Sequence, residues 1–336
     1  MPAARLPALT PMAFIRAMVA AYRAAGRDPS GALQEARITP AQLRRADARI
    51  DALQMETFSA RAMQELDDEA LGWFSRRLPW GSYGMLCRAS ITAPDLGVAL
   101  KRWCRHHRLL VDDVLLSLEP AGDAATLAID ERAPLGEHRE IALVTLLRSV
   151  HGFACWAIDS RIPLREAAFP FPAPPHADAY PAMFPGPVRF GAARAALVFD
   201  ADYLALPLRR DERALRTMLQ RALPLTVRPY RRDRLLAQRV RELLRGGVLT
   251  APALAEALHV SVRTLHRQLH DEGSSLQALK DEVRRDTALA LLARSARPVK
   301  QVAALSGFRN PKSFARAFRQ WTGQTPEQWR RASQAP

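Results

Sequence analysis

Three cysteines, one pair of adjacent histidines and a surplus of arginine are the side chains in this 336-residue sequence that could do chemistry. Cys87, Cys104 and Cys155 lie far apart and without CxxC spacing, which indicates neither a zinc site of the usual kind nor a disulfide framework. Buried free thiols in a reducing compartment are the expectation. His106 and His107 are neighbours on a predicted helix, about 100° apart around its axis, so they cannot hold one metal ion together. One satisfied, partly buried histidine is expected instead. No GxSxG, HExxH, GxGxxG or Walker-type loop is present, and no serine or cysteine stands in a motif that would make it a nucleophile. No catalytic residue, metal or cofactor is therefore expected.

The arginines point elsewhere. The chain has 49 Lys plus Arg against 34 Asp plus Glu, a formal net charge of +15, and only Lys101, Lys280, Lys300 and Lys312 are lysine. Residues 1–230 carry 29 basic and 25 acidic side chains, a net of +4, whereas residues 231–336 carry 20 and 9, a net of +11. A positive field gathered in the last third draws phosphate through counterion release and is the electrostatic footprint of nucleic-acid binding. With 48% hydrophobic and 25% charged residues, the composition is that of a globular protein, which excludes a disordered tail, a fibrous repeat and a polytopic membrane protein. The length suits two domains.

The elements that would position those cations form a degenerate internal repeat. Leu254-Ala255 is followed four residues on by His259-Val260, then Ser261, Leu265, Arg267 and Leu269. Val302-Ala303 is followed at the same spacing by Gly307-Phe308, then Asn310, Phe314, Arg316 and Phe318. The offset is 48 residues before each turn and 49 after it, with Arg309 as the extra residue of the second turn. Each copy meets the demands of a helix-turn-helix: a small residue where two helices cross, a residue that turns tightly, and a Ser or Asn cap opening the next helix. Pro311 suits the first helical position behind Asn310. Leu265 and Leu269, like Phe314 and Phe318, bury one stripe and leave the opposite stripe free to enter a groove. The two units are expected over about 251–272 and 299–322. Gly273 should end the first recognition helix, Ser275 should cap a linker helix running to about Ala293, and Pro298 should end the linker. Such a helix is about 28 Å long. Successive major grooves on one face of B-DNA are about 34 Å apart, so one chain could present two recognition helices to adjacent grooves.

Residues 1–230 read as a mixed α/β region. Four or five short helices are expected before Pro79. Among them are an amphipathic helix over Pro11–Ala25, a start at Thr39-Pro40, and a helix capped by Asp67 or Asp68 ahead of Ala70, Leu71, Trp73 and Phe74. Tyr83–Ile91 is predicted as a strand, Thr92 as the cap of a helix over Pro94–Leu109, and Val114–Leu118 with Thr126–Ile129 as a hairpin turning at Gly122. A long helix over Glu137–Ile158 follows. It contains Arg148, His151 and Gly152, so a core helix is expected rather than a membrane span. A proline-rich irregular segment (169–175) precedes strands near Val188–Phe190 and Ala196–Phe199. Trp73, Trp80, Tyr83 and Trp103 could line an apolar cavity, and core packing is the better reading. The opening residues lack the charged-then-apolar run of a signal peptide, so a cytoplasmic location without a membrane partner is expected.

Ala303 to Arg331, with Gly307-Phe308, Asn310-Pro311, Phe314, Arg316, Phe318, Trp321-Thr322-Gly323, Pro326 and Trp329-Arg330, resembles the C-terminal signature of the AraC/XylS family of bacterial transcription regulators. The first copy and the linker resemble the same domain, so this likeness covers about Leu235–Arg331. The N-terminal region, notably Tyr83–Leu110 and Pro187-Val188-Arg189-Phe190-Gly191 through Asp200 and Leu206-Pro207-Leu208, resembles the arabinose-binding-type sensor domain of one branch of that family. The resemblance implies a mixed α/β N-terminal sensor domain plus an all-α C-terminal domain with two helix-turn-helix motifs joined by a linker helix. It also implies a regulator, more often an activator, that binds promoter DNA and a small-molecule effector, forms a homodimer and could touch RNA polymerase. Carried over residue by residue, the exposed recognition positions are Arg263, His266 and Arg267 in the first unit and Lys312, Ser313 and Arg316 in the second. Arg binds guanine in a bidentate way, while His and Ser give weaker base or phosphate contacts. Arg330 and Arg331 fit either phosphate contacts or charge at a fraying helix end. The family often has a smaller residue where His259 stands. A DNA-repair alkyl-transfer enzyme borrowing the same module would need four thiolates, which three scattered cysteines cannot supply.

Overall fold

The computed structural model describes residues 10–184, 186–220, 233–295, 297–308 and 310–333. The chain divides into two compact units, Met1–Asp233 and Arg234–Pro336. The expected boundary at 230/231 and the extra residue Arg309 lie outside the described residues.

The first unit opens with β1 (Thr10–Pro11), α1 (Met12–Ala24), α2 (Ser30–Glu35), α3 (Pro40–Arg44), β2 (Arg49–Ile50) and α4 (Ala52–Leu66). Local chemistry sets these boundaries. Thr39 accepts from the Gln42 N–H while the Gln42 side chain accepts from the Thr39 N–H, a reciprocal cap with Pro40 at the first position, and Asp51 and Gln54 repeat the device at α4. The helix expected behind Asp67 or Asp68 is absent. Asp67 ends α4 in a left-handed conformation, and the buried Asp68 carboxylate accepts from the N–H groups of Ala70, Gly72 and Leu78, holding a loop in which Leu71 and Gly72 also have positive φ. Donors that a helix would have turned along its axis converge here on one carboxylate.

Two further readings are corrected. Ser82–Ser90 is a helix, α5, not a strand. The next helix, α6 (Leu96–His107), is capped by Asp95, whose carboxylate accepts from the Val98 N–H, and not by Thr92. Thr92 instead accepts from Arg102. β3 (Val114–Ala121) and β4 (Ala124–Glu131) form the expected hairpin through Gly122. They are followed by α7 (Arg139–Ala157), β5 (Leu164–Phe169), α8 (Tyr180–Met183), β6 (Val188–Phe190), β7 (Ala195–Asp200) and α9 (Glu212–Leu219). The strand β5 was not expected; it ends where the proline-rich segment begins. The sheet order is β3-β4-β7-β5-β6, antiparallel throughout except for the parallel β5/β6 pair. α7 buries twelve of its nineteen residues and packs against β7, while α6 packs against β3. That explains the apolar run without a membrane. Among the described residues no helix is long and apolar enough to cross one.

The second unit is helical: α10 (Leu236–Arg245), α11 (Ala251–Ala257), α12 (Val262–Asp271), α13 (Leu276–Arg294), α14 (Val299–Leu305), α15 (Pro311–Thr322) and α16 (Pro326–Ser333). α13 is the expected linker, capped by Ser275 and preceded by Gly273 at φ +73°.

Candidate nucleic-acid interface

The two turns of the repeat close with the same pair of backbone hydrogen bonds. In the first turn the N–H of His259 donates to the Glu256 carbonyl at 3.0 Å and that of Val260 to the Ala255 carbonyl at 2.9 Å. In the second, 48 residues on, Gly307 donates to Ala304 at 3.0 Å and Phe308 to Ala303 at 3.0 Å. This closure needs a left-handed residue between the helices. Gly307 supplies it at φ +78° without steric cost, and His259 adopts it at φ +51°, so the larger residue keeps the hairpin and bears the strain. Each recognition helix then starts on a side-chain cap, Ser261 accepting from the Thr264 N–H at 3.1 Å and Asn310 from the Lys312 N–H at 2.8 Å.

One stripe of each recognition helix is sealed. Leu265, Leu269, Phe314 and Phe318 are fully buried, as are the crossing residues Ala255 and Ala303. The opposite stripes carry the six side chains named from the sequence. Arg263, His266 and Arg267 lie together on α12 at i, i+3 and i+4, and Lys312 and Ser313 lie one turn before Arg316 on α15; all six are exposed. None of the six side chains has a hydrogen-bond or ion-pair partner among the described residues. The carboxylates of α13 are committed elsewhere: Glu282 to Arg241 at 2.9 Å, Asp281 to Arg284 at 3.7 Å and Asp286 to Arg285 at 3.3 Å. Among the described residues no carboxylate engages the six side chains of the two stripes.

Two positions on these stripes escaped the sequence reading. His270 and Arg319 are exposed, follow Arg267 and Arg316 by three residues, and correspond to each other at the 49-residue offset. The offset itself was the signal that could have found them. Arg330, by contrast, is tied to the chain: its guanidinium donates to the Arg297 carbonyl at 2.5 Å.

The linker helix fixes both units. Its N-terminal half gives Leu276, Leu279 and Val283 to a core with Leu254, Leu258, Leu265 and Leu269. Its C-terminal half gives Ala288 and Leu292 to a second core with Val302, Phe314 and Phe318. Between them, the Arg284 guanidinium lies 5.2 Å from the ring centroid of Phe308, over the second turn. Thus α12 and α15 each share a hydrophobic core with one end of a single continuous helix.

The other candidate chemistries are sequestered. All three cysteines are free and buried, and burial pushes the Cys104 and Cys155 thiols up to about 12 and Cys87 higher still, away from the reactive thiolate. His106 Nδ1 bonds the Arg102 carbonyl at 2.7 Å, the satisfied, partly buried histidine of the pair. His107 is deeply buried and pushed down to about 4. Trp73 and Trp103 are core residues, with Trp103 against Phe153 at 4.7 Å and Tyr83 at 5.4 Å, whereas Trp80 is exposed.

Comparison with known proteins agrees with this geometry. Residues 26–208 match the family model described as the arabinose-binding domain of AraC transcription regulator, N-terminal, and residues 254–332 match a helix-turn-helix domain model. The chain belongs to the AraC family of transcription regulators. Among AraC-family relatives it is 28% identical over 330 residues to the ornithine utilization regulator of Pseudomonas aeruginosa, covering 96% of this chain and 97% of that one. It is 31% identical over 147 residues to the HTH-type transcriptional regulator VirS of Mycobacterium tuberculosis, 43% of each chain. Over 76 residues, 23% of each chain, it is 38% identical to the HTH-type transcriptional regulator VqsM of Pseudomonas aeruginosa. As an AraC-family member this protein is a DNA-binding transcription regulator with an arabinose-binding-type N-terminal domain.

Proposed function

We propose that this protein is a ligand-responsive regulator of promoter DNA, acting as an activator, whose single chain reads two adjacent major grooves. The observation that carries the reading is the pairing of two cationic stripes, unpartnered among the described residues, on helices that share cores with one nineteen-residue helix. Arg267 and Arg316 are the base-reading residues, each suited to the O6/N7 edge of guanine. Arg263, Lys312, His266 and Ser313 flank them, with the two cations set for phosphate. His270 and Arg319 extend each stripe by one turn. The first unit senses a small molecule and joins two chains into a homodimer, and the activated complex engages RNA polymerase in the cytoplasm. No step of this role needs catalysis, a metal or a cofactor.

Gel-shift titration against the cognate promoter tests the assignment. Arg267→Ala and Arg316→Ala should each weaken specific binding by about 1–3 kcal/mol and relax base preference at one position, while binding to random duplex at the same salt changes little. Unchanged promoter affinity in both variants would remove these residues from the site.

A further inference from the structure

Several arginines of the first unit are met by a carboxylate, while others, Arg16 and Arg102 among them, bond only carbonyl or hydroxyl oxygens. Arg139 pairs with Glu131 at 2.7 Å, Arg165 with Asp123 at 3.0 Å and Asp200 at 3.3 Å, Arg189 with Glu166 at 2.7 Å, Arg194 with Glu119, and Arg210 with Asp159. Arg148 belongs to the second group. It sits in the middle of α7, the most buried helix of the unit, and its guanidinium has two contacts: one N–H donates to the Met183 carbonyl, and the group lies 5.7 Å from the ring centroid of Phe184. Neither contact carries a negative charge. Among the described residues no carboxylate pairs with it. Burial alone pulls it down to about 10.

Arg148 is half-buried, and four of its five N–H groups have no partner among the described residues and are not sealed from solvent. The nearest titratable groups do not pair with it. Glu140, two turns earlier on the same helix, is taken by the Tyr180 hydroxyl at 2.7 Å and by His176 Nε2 at 2.7 Å. His151, one turn later, is pushed down to about 4 by burial and is neutral at pH 7, so it adds no second charge. Thr145 and Ser149 share the half-exposed stripe of α7 with Arg148, and their hydroxyls have no hydrogen-bond partner among the described residues. The facing wall is firm: Phe184 packs on Phe169 at 5.1 Å and on Tyr180 at 6.2 Å.

We infer that Arg148 is the anchor of an anion site in the first unit, where its guanidinium fork, flanked by Thr145 and Ser149 and backed by Phe184, takes the carboxylate of a small molecule. A single positive charge balances one carboxylate and leaves a phosphate dianion undercompensated, and the planar fork matches the planar oxyanion. The inference deepens the proposed function by giving the sensed molecule its chemical class, and it rests on that reading only for the word effector.

The test is thermal unfolding of the intact chain with a series of amino acids and short carboxylic acids, their neutral amides, and inorganic phosphate. At least one carboxylic acid should raise Tm by roughly 2–8 °C at saturation while its amide does not. Arg148→Met should lose the acid-dependent rise. Arg148→Lys, which keeps the charge and loses the fork, should retain a weakened rise. Arg267→Ala should keep the full rise while losing promoter binding, so that the site and the DNA assignment fail separately. An acid that stabilises through Arg148 but leaves promoter affinity unchanged would keep the site and overturn effector sensing. The site is overturned if no carboxylic acid shifts the parent protein, if the rise survives in Arg148→Met, or if phosphate alone produces it.

Discussion

The two helix-turn-helix units share the hydrogen bonds that close their turns and differ in nearly everything that packs around them. The first closes on Leu254, Leu265 and Leu269 and turns through His259; the second closes on Phe314 and Phe318, with Phe308, Trp321 and Trp329 packed against them, and turns through Gly307. The turn hydrogen bonds, the small crossing alanines, the polar caps and the arginine at Arg267 and Arg316 are what both keep. Groups that fix the chain path or face outward are therefore held in register, while the sealed stripe accepts any apolar set that fills its volume. The comparison also separates two cores on one helix, which gives each unit its own stability.

That separation can be broken by truncation. Phe318→Ala should cost about 3–5 kcal/mol and Leu269→Ala about 2–5 kcal/mol. Amide hydrogen exchange should show the loss confined to α14–α16 in the first case and to α10–α12 in the second, because α13 feeds the cores from opposite ends. Equal loss of protection in both halves would mean one cooperative body. A smaller effect sharpens the contrast between the turns. His259→Gly removes a left-handed non-glycine residue and should stabilise the first unit by about 0.5–1 kcal/mol, read as a raised denaturant midpoint, with the DNA footprint unchanged. A destabilised variant would show that the imidazole makes a contact that outweighs the strain.

The second unit of the chain was far more legible in the sequence than the first, and the reason is physical. A helix-turn-helix ties a small residue, a turn and a cap to fixed positions, so Ala255, His259 and Ser261 can be matched to Ala303, Gly307 and Asn310 by spacing alone. In the first unit α5 is buried on two sides, with Tyr83 against Trp103 and Gly84 so close beneath Leu219 that a β-carbon would sit 3.1 Å from it. Ser82, Gly84 and Leu86 are buried in alternation before Cys87 and Ser90 restore the helical period, which imitates a strand. The loop after α4 misled for a different reason. Asp68 is a good cap, and its carboxylate does gather backbone donors, but from Ala70, Gly72 and Leu78 rather than from a helix. Arg148 was visible only as a residue unsuited to a membrane; that no carboxylate among the described residues pairs with it depends on where Glu140 comes to rest, against Tyr180 and His176.

The central claim is that one rigid linker sets the distance between two DNA-reading helices. Footprinting of the intact protein on its operator, and on the same operator with half a helical turn of DNA, about 5 base pairs, inserted between the two contacted segments, tests it most directly. The account predicts that the insertion abolishes protection of one segment and lowers affinity to that of a single half-site, with Arg267→Ala and Arg316→Ala each now affecting only the half-site it reads. Undiminished affinity and protection of both segments on the lengthened operator would contradict it.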